Sequence, residues 1–196
     1  MTRRVPLLPT LVVAAAVAAM IALGVWQLQR MEWKESLLAR YSQAQAMSSN
    51  VPWPEDSASL EKALFRHSQF TCFNPGPDAP VAGRNTSGAV GWAHVFSCYL
   101  DHSRMDNAAP RASVVMGWSR EPAPRVFRGG RVRGVIGPSG RLFVDPDLVL
   151  SGLHPNAHPD PRDIPNNHLM YAGQWFLFAL TALVIYVLAL RKRWRG

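Results

Sequence analysis

Charged side chains are scarce in this chain, and two segments lack them altogether. Charged residues make up 17% of the 196-residue sequence, against about 25% in typical soluble domains. None occurs in residues 5–29, and after His168 none occurs until Arg191. As a helix, the second segment would be roughly 33 Å long, enough to cross a bilayer. We therefore expect transmembrane helices at 5–29, continuing to about residue 46, and at 166–190.

Catalytic motifs are also missing. The sequence has no GxSxG, Ser-x-x-Lys, HExxH or glycine-rich phosphate loop. His154 and His158 have the i, i+4 spacing of a helical metal site, but the prolines around them preclude a helix. There are only two cysteines and no CxxC or CxxxC motif, which argues against a copper chaperone or redox motif. We therefore predict that the protein is not an enzyme.

The net charge of +8 does not indicate a nucleic-acid-binding protein, because the excess lies in the tails. The N-terminal tail carries Arg3 and Arg4, and residues 191–196 carry four more basic residues, whereas the middle of the chain is nearly neutral. This distribution predicts cytoplasmic termini, including a basic tail at 191–196, and a periplasmic domain at 30–165. The first apolar run is too long for a signal peptide, and no Arg- and Ser-rich transit peptide precedes it. We expect an uncleaved anchor in the plasma (inner) membrane of a bacterium.

The middle of the chain consists of short strand-like runs separated by Gly- and Pro-rich turns, without a long amphipathic helix. This pattern predicts a small antiparallel sheet or open barrel, and therefore an α+β membrane protein with a β-rich extracytoplasmic domain. Residues 145–165 contain five prolines and should form a loop that returns to the membrane. The predicted strands are Phe65–Phe73, Gly91–Leu100, Ala112–Trp118, Val132–Ile136 and Leu142–Val144.

The two cysteines, Cys72 and Cys98, lie in consecutive predicted strands. We expect these two strands to pair, and an extracytoplasmic compartment permits a disulfide, so we predict a bond between the two cysteines. The alternative is that both are small, buried strand residues.

The start of the second apolar segment is the most informative stretch. There Pro165 and two asparagines predict a helix start, with an Asn side chain as cap. His168 should lie in the first helical turn, with Tyr171 and Trp175 following at i+3 and i+7. An ionisable residue at this depth indicates a functional site. The alternative is an interfacial His between ordinary aromatic anchors.

Small residues predict that the two helices pack against each other. In the first helix Ala14, Ala18 and Ala22 repeat every four residues, and Ala172, Ala179 and Ala182 form a comparable face on the second. Small side chains at this spacing allow helices to approach closely.

Three stretches resemble signatures of the Surfeit locus 1 family, the cytochrome c oxidase assembly factors. Gly24–Lys34 resembles its GxWQxxRxxWK signature, Asn166–Trp175 its NxHxxYxxxW signature, and Val114–Trp118 its central strand. Met116 departs from the Arg usual at that position. The family's Asn- and His-rich stretch before the last helix is missing. The matching residues are Gly24, Trp26, Gln27, Arg30, Lys34, Gly117, Trp118, Asn166, His168, Tyr171 and Trp175.

The resemblance implies a role in the maturation of a haem-copper oxidase, with haem a as cofactor. The implied protein partners are cytochrome c oxidase subunit I and haem a synthase. The apolar runs add the lipid bilayer as a partner, and the charge distribution excludes nucleic acid. We expect His168 to be an axial iron ligand or a close contact of the haem. Tyr171 and Trp175 would form a flat wall, and Ala172 next to them would leave room for the macrocycle. Arg30 would meet a propionate. The alternative function is a membrane-anchored scaffold that binds only protein.

Overall fold

The described part of the chain has two long helices with seven strands between them. The structure, a computed structural model, describes residues 5–102 and 111–195, so Arg3, Arg4 and Gly196 of the predicted tails lie outside the described residues. The helices are α1 (Leu7–Gln45), α2 (Ser57–Ala63) and α3 (His168–Arg195). The strands are β1 (Asn50–Val51), β2 (His67–Cys72), β3 (Val81–Arg84), β4 (Val90–Tyr99), β5 (Arg111–Ser119), β6 (Gly130–Ile136) and β7 (Arg141–Val144).

The chain divides into two compact units. The first, residues 1–38 and 165–196, contains most of α1 and all of α3. The second, residues 39–164, contains the end of α1, the short helix α2 and all seven strands. We call them the helix pair and the β domain.

The helix pair is built around Gly24, the one buried residue of α1. A Cβ atom there would lie 2.5 Å from Cε1 of Phe176 on α3, so only glycine leaves room for the ring. The less exposed positions of α1 recur at alternating steps of three and four residues, the spacing of left-handed helix pairing. These positions are Val13, Val17, Met20, Gly24 and Gln27.

The small residues of α3 occupy the seam as predicted, whereas those of α1 do not. Ala172 and Ala179 are buried, but Ala14, Ala18 and Ala22 are exposed on another face of α1. The predicted alanine face of α1 is therefore wrong for this contact. The aromatic ring of Phe176 occupies the space that a side chain at Gly24 would need. This contact determines which face of α1 packs against α3.

Polar bonds fasten the helix pair near both ends. The hydroxyl groups of Thr10 and Tyr186 are hydrogen-bonded to each other. Further along α1, Nζ of Lys34 donates to the carbonyl of Pro165 at 2.5 Å. An early residue of α1 thus contacts a late residue of α3, and a late residue of α1 contacts the start of α3. The two helices are therefore antiparallel.

The sheet of the β domain is mixed, so the antiparallel prediction is only partly correct. Its strand order is β1-β2-β6-β7-β5-β4-β3. β1 runs parallel to β2 and β7 runs parallel to β5, whereas the other neighbours are antiparallel. β6 and β7 form a hairpin, and β7, not β6, is the strand that pairs with β5. The chain therefore crosses over between β5 and β6, and β7 runs parallel to β5. The sequence pattern missed β1 and β3, which have only two and four residues.

The sheet curls until the chain that leaves β2 reaches β4. Three strands separate β2 from β4 in the sheet order, yet Phe73 and Tyr99 exchange backbone hydrogen bonds at 2.9 and 3.0 Å. A disulfide joins Cys72 and Cys98 at this closure, and both cysteines are buried. The bond predicted from the sequence is therefore present. The two predicted strands that carry the cysteines meet only at the single bridge between Phe73 and Tyr99, and not along their length.

The main core of the β domain lies inside the curled sheet. It contains Phe96, Val114, Ile136 and Leu142, all essentially inaccessible to solvent. Met116 belongs to the same cluster. An apolar side chain therefore fills the position where the resembled family usually has arginine.

We predict that Gly24→Ala weakens the helix pair by about 1–3 kcal/mol, because overpacking a close contact costs this much. The matched control is Gly173→Ala on α3, whose added Cβ would meet no atom within 4 Å. SDS titration of the detergent-solubilised chain measures both. Adding Phe176→Ala to Gly24→Ala should recover part of the loss. Equal unfolding midpoints for the two single variants would show that the contact with Phe176 is unimportant.

Candidate functional site in the helix pair

His168 is the first residue of α3 and contacts α1 directly. Its Nδ1 atom lies 2.7 Å from Oε1 of Gln27, in a half-buried hydrogen bond. The other ring nitrogen, Nε2, forms no hydrogen bond with any residue of the described segments 5–102 and 111–195. One ring nitrogen, Nδ1, is thus hydrogen-bonded across the helix pair, and Nε2 remains available to a ligand.

The two aromatic residues predicted beside His168 differ in their placement. Trp175, two turns further on, is half-buried and packs edge-to-face with Phe178, with ring centroids 6.1 Å apart. Tyr171 is 47% exposed, so it does not share the packing of Trp175. Ala172, expected to leave room for a macrocycle, is fully buried in the helix seam. The helix seam at Ala172 therefore leaves no open space beside His168, whereas the flank that carries Tyr171 is exposed.

Two further motif residues lie exposed on α1. The guanidinium of Arg30 stacks over the ring of Trp33 at 4.0 Å, and Arg30 makes no ion pair with a described residue. Stacking uses the face of the guanidinium and leaves its in-plane N–H donors available. Trp26 is 53% exposed. The N–H donors of Arg30 are therefore available to an anionic group.

The predicted Asn cap takes a different form. Oδ1 of Asn166 is buried and has no hydrogen-bond partner among the described residues, so it does not cap α3. The first helical bond runs instead from the backbone N–H of Tyr171 to the carbonyl of Asn167. Two positions before His168 there is thus a buried acceptor without a donor, a group that usually calls for an explanation.

The donor set suits a prosthetic group better than a bare metal ion. No group of three or more His, Cys, Asp or Glu that could hold a metal is found in the described part of the chain. A single imidazole suffices as an axial ligand when a macrocycle supplies the other nitrogens. The free Nε2 of His168, the available donors of Arg30 and the orphaned acceptor of Asn166 fit such a group.

The other motif pair, Gly117 and Trp118, has a structural role in the β domain. Gly117 has φ of +150°, and a Cβ atom there would lie 2.6 Å from Cβ of Leu153. Trp118 exchanges backbone hydrogen bonds with His154 at 2.7 and 2.8 Å. These contacts hold the proline-rich return segment against β5, at a bulge that leaves Met116 unpaired with β4. We therefore assign the two motif residues to packing.

Asp160 lies near the end of the return segment, where it accepts hydrogen bonds from the side chain and the backbone N–H of Arg162. These bonds hold the pKa of the Asp160 carboxyl below its usual value. Both charges reach solvent, so the pair contributes little to stability.

Sequence reasoning missed a buried polar network in the β domain. His94 on β4 is inaccessible to solvent, and its Nδ1 lies 2.5 Å from Oδ2 of Asp78. Its Nε2 lies 2.7 Å from Oγ of Ser119. The backbone N–H of Arg125 donates to the same Asp78 oxygen at 2.8 Å. These residues are far apart in sequence, and the only local signal is a His in a strand of mostly apolar residues.

The order Asp–His–Ser resembles a nucleophilic triad, and a cavity of about 370 Å³ lies beside Ser119. The hydrogen bonds argue against that role. The Ser119 hydroxyl donates its only proton to the carbonyl of Glu121. The contact with His94 therefore requires a proton on Nε2, which cannot then act as a base towards this serine. The network connects the 120–125 loop to the sheet and does not activate a nucleophile.

The chain has an apolar helix at each end of a mixed-sheet domain, and the imidazole of His168 lies between the two helices. These features define a class of membrane-anchored proteins with two helices. The chain belongs to the SURF1 family: the model of that family matches residues 14–180. The SURF1 (Surfeit locus 1) family is membrane-associated, and the match confirms the resemblance of the three motifs. A comparison with curated proteins found no match.

We predict that His94→Ala destabilises the β domain by about 3–5 kcal/mol, because it leaves the buried Asp78 carboxyl without its ring partner. Chemical unfolding of the detergent-solubilised chain measures the loss. His158→Ala, at an exposed position, is the control and should change stability by less than about 0.5 kcal/mol. If His94→Ala lowers the free energy of unfolding no more than the control does, the network does not stabilise the β domain.

Proposed function

We propose that this protein is a membrane-embedded assembly factor for a haem-copper oxidase and holds haem a at His168. The observation that carries the proposal is the state of the His168 ring: Nδ1 is bonded to Gln27, and Nε2 has no partner in the part of the chain that the structure describes. Membership of the SURF1 family is consistent with a role in cytochrome oxidase assembly. The protein would bind and position the cofactor, and it would catalyse no turnover.

A bilayer is the environment that the helix pair requires. Both helices are long and apolar enough to cross a membrane. Large apolar side chains face outward along them, a surface that soluble monomers rarely expose over such an extent. These residues include Leu7, Leu8, Leu11, Val12, Ile21, Leu177, Phe178, Leu180, Leu183, Ile185 and Leu188.

We further propose that both termini are cytoplasmic and that the β domain lies in the periplasm of a bacterium. The last turns of α3 carry Arg191, Lys192, Arg193 and Arg195, which favour the cytoplasmic side. The disulfide between Cys72 and Cys98 supports an oxidising compartment for the β domain.

This topology predicts that protein isolated from membranes under non-reducing conditions contains no free thiol. The chain has two cysteines, and both are in the disulfide. Alkylation followed by mass spectrometry should label neither cysteine before reduction and both after it. Two labelled thiols in the unreduced sample would contradict the periplasmic placement.

The cofactor proposal assigns a role to each residue near the helix ends. His168 offers Nε2 to the iron, and Arg30 offers its N–H donors to a propionate. Lys34 holds the start of α3 through the carbonyl of Pro165, three residues before His168. The bound haem would supply the redox-active iron that the oxidase subunit requires. This chain's residues would bind the haem, orient it and shield it on one side.

We predict that His168→Ala abolishes most of the Soret absorbance of full-length protein purified in detergent, because the iron loses its protein ligand. His158→Ala is the matched control and should retain the wild-type haem content. Pyridine haemochrome assays give the stoichiometry, and circular dichroism verifies folding. An unchanged spectrum in folded His168→Ala would exclude His168 as the ligand.

The assembly role is tested in cells with the same variants. A strain that lacks the protein should contain less assembled haem-copper oxidase and normal amounts of extractable haem a. The wild-type chain and His158→Ala should restore the oxidase, and His168→Ala should not. Normal oxidase content in the deletion strain would count against the function. Restoration by His168→Ala would favour a scaffold that works without haem.

A further inference from the structure

The contact between Gln27 and His168 joins residues 141 positions apart in the sequence, across the seam of the helix pair. Both side chains are half-buried, and each lies on the face of its helix that packs against the other. Apolar residues surround this seam along most of its length, so a polar pair within it calls for a chemical reason.

The chemistry of the pair defines the state of the ring. The atom of Gln27 that faces the imidazole is the amide oxygen Oε1, which accepts hydrogen bonds and cannot donate them. The proton in this hydrogen bond must therefore belong to Nδ1 of His168. An imidazole with its proton on Nδ1 has its lone pair on Nε2.

We propose that Gln27 is a positioning residue that fixes the Nδ1–H tautomer and the orientation of His168, so that Nε2 is the nitrogen offered to iron. The part of this proposal that concerns iron rests on the proposed haem function. The tautomer itself does not, because the bond to Gln27 is present without any ligand. Partners of this kind determine ring orientation and increase the electron donation of a ligating histidine in metal sites.

A purely structural role for Gln27 is the competing explanation, since interhelical hydrogen bonds stabilise membrane helices. Two other contacts also hold the pair, the one between Gly24 and Phe176 and the bond from Lys34 to the carbonyl of Pro165. Loss of the Gln27 bond should therefore leave the helices paired, and the state of the ring can be measured in a folded variant.

The primary experiment is nitrogen NMR of full-length, haem-free protein in detergent, with ¹⁵N-labelled histidine. His168→Ala identifies the signals of this ring among the six histidines. The wild type should show a protonated Nδ1 and an unprotonated Nε2 at high pH. Gln27→Leu should shift the ring towards the Nε2–H form, and Gln27→Glu, which retains an acceptor at the same place, should keep Nδ1–H. Gln29→Leu, at an exposed position of α1, is the control and should match the wild type.

The haem-loaded protein gives a second readout. Gln27→Glu should lower the midpoint potential relative to the wild type, because a carboxylate increases the donation from the ring, and Gln27→Leu should raise it. A structural role would reduce stability without ordering the potentials in this way. An Nε2–H ring in the wild type, or an unchanged tautomer in folded Gln27→Leu, would overturn the proposal. A wild-type protein with the Nδ1–H ring that binds no haem would refute the proposed function and leave the tautomer assignment intact.

Discussion

The close contact between Gly24 and Phe176 is the constraint on which the helix pair depends. It selects the face of α1 that meets α3 and fixes the register between them. One turn further along α1, the same register places Gln27 opposite His168, and beyond it Lys34 reaches the carbonyl of Pro165. A helix pair built on the alanine face of α1 would turn Gln27 away from His168. The geometry of the candidate site thus depends on the absence of a side chain at Gly24, together with the polar bonds near both ends of the helix pair.

The family motif residues divide into two physical groups. Gly24, Gln27, Lys34 and His168 determine the pairing of the helices and the state of one imidazole. Gly117 and Trp118 hold the return segment against β5 in the β domain, far from His168 in sequence and in a separate unit. Of these two groups, only the first lies at the proposed haem site, where Arg30 joins it. The buried His94 network has a third role, since it holds a loop of the β domain to the sheet.

The sequence predicted the parts of the fold that depend on local pattern. The two charge-free runs that are long enough to span a bilayer form most of α1 and α3. The five apolar runs predicted as strands form β2, β4, β5, β6 and β7. Strand order was not predictable, because the parallel contact of β7 with β5 depends on a crossover that no local signal marks. The site was predicted in part. His168 stood out as an ionisable residue at a helix start, but its partner Gln27 could be identified only once the register was known, and Ala172 proved to be buried.

We propose that this helix pair carries one haem site. It is tested most directly by titrating haem a into the haem-free, full-length protein in detergent, with protein-free micelles as the reference. The account predicts that the spectrum of imidazole-ligated haem grows until one haem is bound per chain and then stops. Uptake that never saturates, and that matches partition into protein-free micelles, would contradict it.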